Sequence, residues 1–162
     1  MKTSKFMITA FLLLALPALV ACGNNSSGKA APLEVKTGNK AAEAAQQELK
    51  IRVGQHVLKA ALVDNSSTRA LVEKLKQGPV TIHMHDFSNF EKVGDLGFSL
   101  PANDEHITTV PGDLILYQGR RFVIYYDTNT WDFTRMGKLK DVNQAQLKEI
   151  LGKDDVTVQL EL

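Results

Sequence analysis

The sequence predicts a mainly β protein: a closed or nearly closed antiparallel β-barrel of seven or eight strands with two short helices. Two observations predict this class. Between positions 48 and 162, apolar residues mostly alternate with polar ones, which is the period of a strand with one buried face. Only two segments have helical spacing and caps, so strands and helices do not alternate as in a parallel sheet. A closed antiparallel sheet capped at its ends is therefore expected.

The first part of this region is predicted to be a hairpin followed by a helix. Apolar residues alternate over 49–53, and Gly54-Gln55 permits a tight reversal into a second strand at 56–63. The polar run at 64–68 supplies N-cap candidates, and Gly78-Pro79 ends the helix. A third alternating strand follows at 80–85, and the chain then enters a predicted polar loop that contains Gly94, Gly97 and Pro101.

The second part is predicted to contain paired strands, a late helix and a final strand. The turn signal at 110–113 leads into strands at 114–117 and 122–126, and a further strand follows at 131–139. Asn143 and Gln146 have the spacing of a capping box that opens a helix ending at Gly152. Alternation over 156–162 predicts the last strand.

The N-terminus has the three parts of a secretory signal peptide, predicted at 1–21. Two lysines precede an apolar run at 6–19, and a small-residue site follows. Leu19-Val20-Ala21-Cys22 resembles the lipobox of bacterial lipoproteins, in which the cysteine receives a diacylglyceryl group. The resemblance implies lipid attachment at Cys22, a membrane partner through that lipid, and an extracytoplasmic location in the cell envelope. The alternative is an ordinary secretory peptide with a chance cysteine.

Residues 22–47 are predicted to be a flexible, lipidated tether. They consist mainly of Asn, Ser, Gly, Lys, Ala, Pro and Gln, which cannot bury enough apolar surface to offset the entropy of ordering. The remaining residues, 48–162, are enough for one domain with its own core. We therefore predict a single tethered domain, and we expect it to be monomeric.

Composition excludes several classes of function. Cys22 is the only cysteine, so an acylated chain has no disulfide, cysteine nucleophile or thiolate metal site. The chain has 19 basic and 18 acidic residues, and removal of Lys2 and Lys5 with the signal leaves 17 basic residues. This balance, without a basic stripe, predicts no nucleic-acid partner. No phosphate-binding glycine loop or dinucleotide motif is present, so no cofactor is predicted.

The segments PGDLILY at 111–117 and TRMGKL at 134–139 stand out among the predicted strands. They are similar to motifs of the bacterial cyclophilin-like proteins, and the opening hairpin, both helices and the final strand follow the order of that family. The resemblance covers about 50–162 and implies the cyclophilin-like closed barrel.

True cyclophilins are prolyl isomerases whose Phe-His-Arg stretch supplies an arginine that holds the substrate carbonyl oxygen. The corresponding region here, IHMHDFSNF at 82–90, contains no arginine. Because the site rather than the fold decides the activity, the resemblance implies peptide or protein binding without classical isomerase catalysis, and no catalytic residue is assigned. A weak prolyl isomerase of the envelope is the alternative.

The predicted binding residues are Trp131, Phe133, Arg135 and His85. Period two places Trp131, Phe133 and Arg135 on one face of a strand. Aromatic rings can pack against a proline ring, and arginine can donate to a carbonyl or carboxylate oxygen of a peptide. The structural alternative is that the two aromatic residues are core and that Arg135 pairs with a carboxylate such as Asp113.

His83 and His85 are two residues apart on a predicted strand, so they lie on one face about 7 Å apart at ~3.3 Å per residue. With a third ligand they could hold zinc or copper, which gives a second alternative, an accessory of envelope redox or metal handling. Otherwise they are exposed imidazoles, and we assign no metal site.

Overall fold

The structure, a computed structural model, describes residues 47–152 and 154–162. The predicted signal peptide at 1–21, the lipidation site Cys22 and all but the last residue of the tether lie outside the described residues. Within the described ranges, neither helix has the length and apolar character needed to cross a membrane.

The described residues form nine strands and two helices. The helices are α1 (Ser66–Leu75) and α2 (Gln144–Leu151). The strands are β1 (Glu48–Val53), β2 (His56–Leu62), β3 (Val80–Phe87), β4 (Glu91–Asp95), β5 (Glu105–Thr109), β6 (Asp113–Tyr117), β7 (Arg121–Tyr125), β8 (Asn129–Leu139) and β9 (Val156–Glu161).

Eight of these strands close into a hydrogen-bonded ring. The order is β2-β1-β9-β3-β4-β7-β6-β8, and β8 pairs with β2 to complete the ring. All pairs are antiparallel, and β5 adds to β8 outside the ring. The predicted fold class, mainly β with a closed antiparallel sheet and two short helices, is confirmed.

The prediction of a polar loop after β3 is wrong, because β4 and β5 lie in that part of the chain. The sequence of β4, Glu-Lys-Val-Gly-Asp, has little strand propensity, and tertiary contacts override that preference. At Gly94, a Cβ atom would press against Ile82 and the carbonyl oxygen of His83, so glycine permits β3 and β4 to approach. The ring thus includes a strand that its own sequence does not indicate.

Both helices begin with the capping geometry that satisfies their first N–H groups. The Asn65 side chain accepts from the Thr68 amide, and the Thr68 hydroxyl lies 3.1 Å from the Asn65 amide, which donates to it. Asn143 and Gln146 form the predicted capping box. Leu71 and Leu147 are fully buried and anchor the helices to the main core.

The apolar residues form two clusters, one on each face of the sheet. The main cluster fills the ring and includes the apolar faces of both helices. A second cluster lies on the outer face of β4, β6, β7 and β8 and contains Val93, Ile115, Val123, Tyr125 and Phe133. Alternate residues of these strands therefore pack on opposite faces, and the outer cluster forms the base of the site described next.

Candidate functional site

A cavity of about 450 Å³ lies over the outer cluster. On each strand that contributes more than one residue, the lining residues are two apart, as expected for one face of a sheet. The lining residues are His85, Phe87, Glu91, Val93, Tyr117, Arg121, Val123, Tyr125, Asn129, Trp131 and Phe133.

Strand register arranges the cavity base in rows. Phe87 lies opposite Glu91, and Glu91 lies opposite Tyr125 across β4 and β7. The next row contains Val93 opposite Val123, and the row after it places Arg121 opposite Tyr117. One row, that of Val93 and Val123, consequently lies between Glu91 and Arg121, which are toward opposite ends of the cavity base.

Aromatic rings form a continuous wall along the cavity. The Tyr125 ring lies 5.7 Å from Phe133 and is stacked on Phe90 at 6.2 Å between centroids. Two further rings, Phe87 and Trp131, are 51% and 58% exposed although both line the cavity. Large exposed aromatic surfaces beside a cavity are typical of a site that binds another molecule.

The Glu91 carboxyl is a polar group in the otherwise mostly apolar row. It is 9% exposed, and its Oε2 atom has no hydrogen-bond partner among the described residues. The Tyr125 phenol neighbours this carboxyl, and its oxygen accepts from Asn129 Nδ2 at 3.3 Å. Burial raises the pKa of Glu91 above its ordinary value, although the interaction with the Tyr125 phenol opposes that shift.

The Tyr125 hydroxyl remains a proton donor over the physiological range. Burial and the neighbouring Glu91 carboxyl both raise the pKa of Tyr125, since an ionised phenol would be poorly solvated and repelled there. The cavity base therefore presents a phenol beside a carboxyl whose Oε2 atom has no partner among the described residues.

Arg121 supplies a guanidinium at the other end of the cavity. Its Nη1 atom donates to Gln118 Oε1 at 3.1 Å, and its guanidinium carbon lies 6.0 Å from the centre of the Tyr117 ring. The side chain is exposed, so it can also meet a ligand from solvent.

Comparison with known proteins identifies the family. The family model described as the Cyclophilin-like family matches residues 51–161. The chain belongs to this family. No curated protein sequence matches the chain.

Two solved structures share the fold of this cyclophilin-like protein. McbB, solved in complex with tryptophan, is 15% identical with a TM-score of 0.54, and the match covers 70% of this chain and 44% of McbB. This chain thus spans less than half the length of McbB. The hypothetical protein AF2241 from Archaeoglobus fulgidus is 12% identical with a TM-score of 0.55, and the match covers 72% of this chain and 95% of that chain. At these identities the likeness shows the fold alone.

The structure brings three of the four predicted binding residues of the cyclophilin-like protein to the cavity. Trp131 lies at its exposed edge, Phe133 in its wall and His85 on β3. Phe133 is also a buried member of the outer cluster, so the core interpretation of this residue applies as well.

Arg135 is not brought to the cavity. Its Nη1 atom lies 3.0 Å from Asp113 Oδ2, and Lys138 lies 3.0 Å from the other oxygen of Asp113. The Val110 amide also donates to Asp113, at 2.9 Å. This is the structural alternative weighed for Arg135, in which the guanidinium balances a carboxylate that is only 2% exposed.

His83 does not share the cavity with His85. Its Nδ1 atom lies 3.0 Å from Thr157 Oγ1 on β9. Across the described ranges, no three His, Cys, Asp or Glu side chains are grouped closely enough to hold a metal ion.

Sequence reasoning missed Glu91, Tyr125, Phe87 and Arg121. One signal was available, because β7 reads Arg-Phe-Val-Ile-Tyr, with large apolar residues in both alternating positions. That pattern indicates a strand covered on both faces, and hence an outer cluster. Nothing local marks Glu91, whose burial follows from the pairing of β4 with β3 and β7.

Proposed function

We propose that this cyclophilin-like protein binds an extended segment of a peptide or protein and that the cavity over the outer cluster receives one of its side chains. The observation that carries the proposal is the aromatic-walled cavity of about 450 Å³ with Trp131 and Phe87 exposed beside it. The volume lies within the ~300–1,000 Å³ common for ligand sites.

The exposed aromatic rings supply the driving force. Apolar area removed from water contributes about 25 cal/mol per Å², and a ring that packs against Trp131 or Phe87 also gains from aromatic contact. Since both rings are rigid, little conformational entropy is lost when a ligand covers them. A proline, aliphatic or aromatic side chain meets these conditions.

Arg121 supports the extended form of the ligand. A guanidinium at the cavity edge can donate to a backbone carbonyl or a C-terminal carboxylate, which is the part that sequence reasoning assigned to Arg135. Its present partner, Gln118, is exposed and can be exchanged for a ligand oxygen.

The test is a titration of the ¹⁵N-labelled full chain with short peptides that contain Xaa-Pro, leucine or tryptophan. Tryptophan is included because McbB, which shares the fold, was solved with it. Binding is expected to shift the amide signals of β3, β4, β7 and β8, and Phe87→Ala should weaken it. Val110→Ala, a change at an exposed valine that does not line the cavity, is the matched control. Unchanged signals with every peptide would reject the proposal.

A weak prolyl isomerase remains the second candidate, and the position of Arg121 favours it. Exchange spectroscopy on the Xaa-Pro peptides decides between binding alone and isomerase activity. Uncatalysed cis/trans isomerisation takes tens of seconds or more, so acceleration by the protein is readily detected. Acceleration that disappears in Arg121→Lys would make the protein an isomerase. Shifts of the amide signals without acceleration would mean that the protein binds the peptides but does not isomerise them.

We also propose that the domain acts at the extracytoplasmic face of the cell envelope, held by a lipid on Cys22. The support is the lipobox-like sequence Leu19-Val20-Ala21-Cys22. Mass spectrometry of the chain from membranes is expected to show an acylated Cys22 at the N-terminus, and Cys22→Ser should release the protein from the membrane fraction. An unmodified cysteine would contradict this assignment.

A further inference from the structure

The geometry points to a ligand segment that carries a primary ammonium group on an apolar stem, bound between the Glu91 carboxyl and the aromatic rings of the cavity. This inference rests on the proposed function and specifies the chemistry of the group that enters the site. Its basis is an unpartnered oxygen at the base of an otherwise mostly apolar cavity.

Glu91 Oε2 is the group that lacks a partner. The residue is nine-tenths buried, it lines the cavity, and the other charged lining group, Arg121, bonds to Gln118 instead. A buried carboxyl oxygen left without a donor is costly. A ligand that donates a hydrogen bond at this point removes that cost, and a purely apolar ligand does not.

The aromatic rings favour a cation over a neutral donor. Glu91 shares its row with Phe87 and Tyr125, and Trp131 and Phe133 line the same cavity. The faces of aromatic rings attract an ammonium group within about 6 Å. A carboxylate among aromatic rings therefore offers two favourable interactions to a protonated amine and only one to an amide.

The single available oxygen favours ammonium over guanidinium. Of the two Glu91 carboxyl oxygens, Oε2 is the one that is buried without a hydrogen-bond partner among the described residues. Guanidinium groups gain most from two parallel bonds to both oxygens of a carboxylate, whereas an ammonium needs one contact point. A lysine side chain or a peptide amino terminus provides that group.

Repulsion from Arg121 does not prevent this arrangement. Arg121 and Tyr125 are four residues apart on β7, which is about 13 Å along the strand at ~3.3 Å per residue. The remaining titratable lining groups are Tyr117, beside Arg121, and His85, on the exposed side of β3. The negative and positive ends of the cavity can thus contact different parts of one extended segment.

The emission of Trp131 provides a site-specific assay, because this is the only tryptophan of the chain and it lines the cavity. The probes are capped, glycine-flanked peptides that differ at one position, with lysine, acetyl-lysine or norleucine. A fourth peptide has norleucine and a free amino terminus, which separates the two sources of the amine. The full chain is titrated with each.

At least one of the two amine-bearing peptides, with lysine or with a free amino terminus, is expected to bind more tightly than the acetyl-lysine and capped norleucine peptides. The expected difference is about tenfold, as for a hydrogen bond to a charged group. Glu91→Gln should remove this preference, so that the amine-bearing peptides bind no more tightly than the capped norleucine peptide. Glu149→Gln, at an exposed position on α2 that does not line the cavity, is the matched control and should retain the preference.

Two outcomes separate this inference from the proposed function. Equal affinity for all four peptides would overturn the ammonium assignment and leave peptide binding intact. Peptides that change neither the Trp131 emission nor the amide signals would overturn the proposed function itself. If Glu91→Gln does not fold, as judged by circular dichroism, two comparisons on the unaltered chain decide the question: lysine with acetyl-lysine, and free with capped amino terminus.

Discussion

Glu91 and Tyr125 lie directly opposite each other across β4 and β7, and the tyrosine phenol neighbours the buried carboxyl. Burial raises the pKa of Glu91 in the folded protein. A carboxyl of this kind contributes stability that is fully present below its unfolded pKa and is lost as pH rises through the folded pKa. Ionisation of Glu91 therefore costs more in the folded protein than in the unfolded chain, and the free energy of unfolding falls as the pH rises.

Glu91→Gln is expected to be more stable than the unaltered chain at neutral pH, by on the order of 1 kcal/mol. The difference should shrink as pH falls toward about 4, where the carboxyl is protonated in both states. Urea unfolding across this range measures it. The neighbours of Glu91, Tyr125 and Tyr126, are the same in both proteins, so the difference isolates Glu91. A difference independent of pH would contradict this reading.

Asp113 is expected to contribute more to the stability of the fold than Arg135 does. Asp113→Ala removes the acceptor of the Val110 amide and the shared partner of Arg135 and Lys138, so the free energy of unfolding should fall by about 2 kcal/mol. Arg135→Ala should cost less than about 1 kcal/mol, since its guanidinium is partly exposed.

Peptide affinity is the second measurement on these variants. Arg135→Ala is expected to bind peptides as the unaltered chain does, because Arg135 does not line the cavity. Arg52→Ala, which breaks the exposed pair with Glu161, is the control for loss of a surface ion pair. If Arg135→Ala folds but no longer binds peptides, Arg135 contributes to binding and this prediction is wrong.

Gly137 is expected to be essential for ring closure. It lies opposite Leu62 on β2 and Leu114 on β6, and an added Cβ would collide with the carbonyl oxygen of Ala61. Gly137→Ala should lower the free energy of unfolding by about 2–3 kcal/mol, because strand backbones must separate. Gly97→Ala, where the glycine has φ +80° but open space, should cost about 1 kcal/mol. Equal losses in thermal unfolding would argue against the collision.

The ion pair between Lys92 and Asp86 is expected to respond asymmetrically to mutation. Lys92 is fully buried. Its Nζ atom lies 3.3 Å from Asp86 Oδ1 and donates to the backbone carbonyl oxygen of Asp154 at 2.8 Å. Asp86→Ala leaves a buried ammonium without its counter-charge, so it should cost about 3 kcal/mol or more. Lys92→Met keeps the packing and leaves a partly exposed carboxylate that Tyr126 still contacts, so its cost should be smaller. Urea unfolding compares the two, and the reverse order would be contrary to expectation.

Local signals in the sequence predict most elements of the fold. The opening hairpin, the Asn143 capping box and the alternation of β9 each depend on neighbouring residues, and the structure has all three. By contrast, β4 and β5 also pair with β7 and β8, respectively, which are distant in the sequence. Lys92 shows the limit, because a lysine in a polar segment is ordinarily exposed and becomes buried here only through contacts with Asp86 and Asp154.

The same distinction applies to the candidate site. Alternation along β8 predicts that Trp131 and Phe133 share a face, and both line the cavity, while His85 lines it from β3. Arg135 shares that alternation, yet the buried Asp113 carboxylate holds it elsewhere. Glu91 could not be found, since its role depends on the register of β3, β4 and β7.

The central claim is that a peptide side chain enters the cavity over the outer cluster. Intermolecular nuclear Overhauser effects between an unlabelled peptide and the ¹³C-labelled full chain test it most directly. The account predicts contacts from one peptide side chain to Val93, Val123 and the rings of Phe87, Tyr125 and Phe133. Contacts confined to other surfaces, such as the outer edge of β5 or the surface formed by Val57 and Val142, would contradict it.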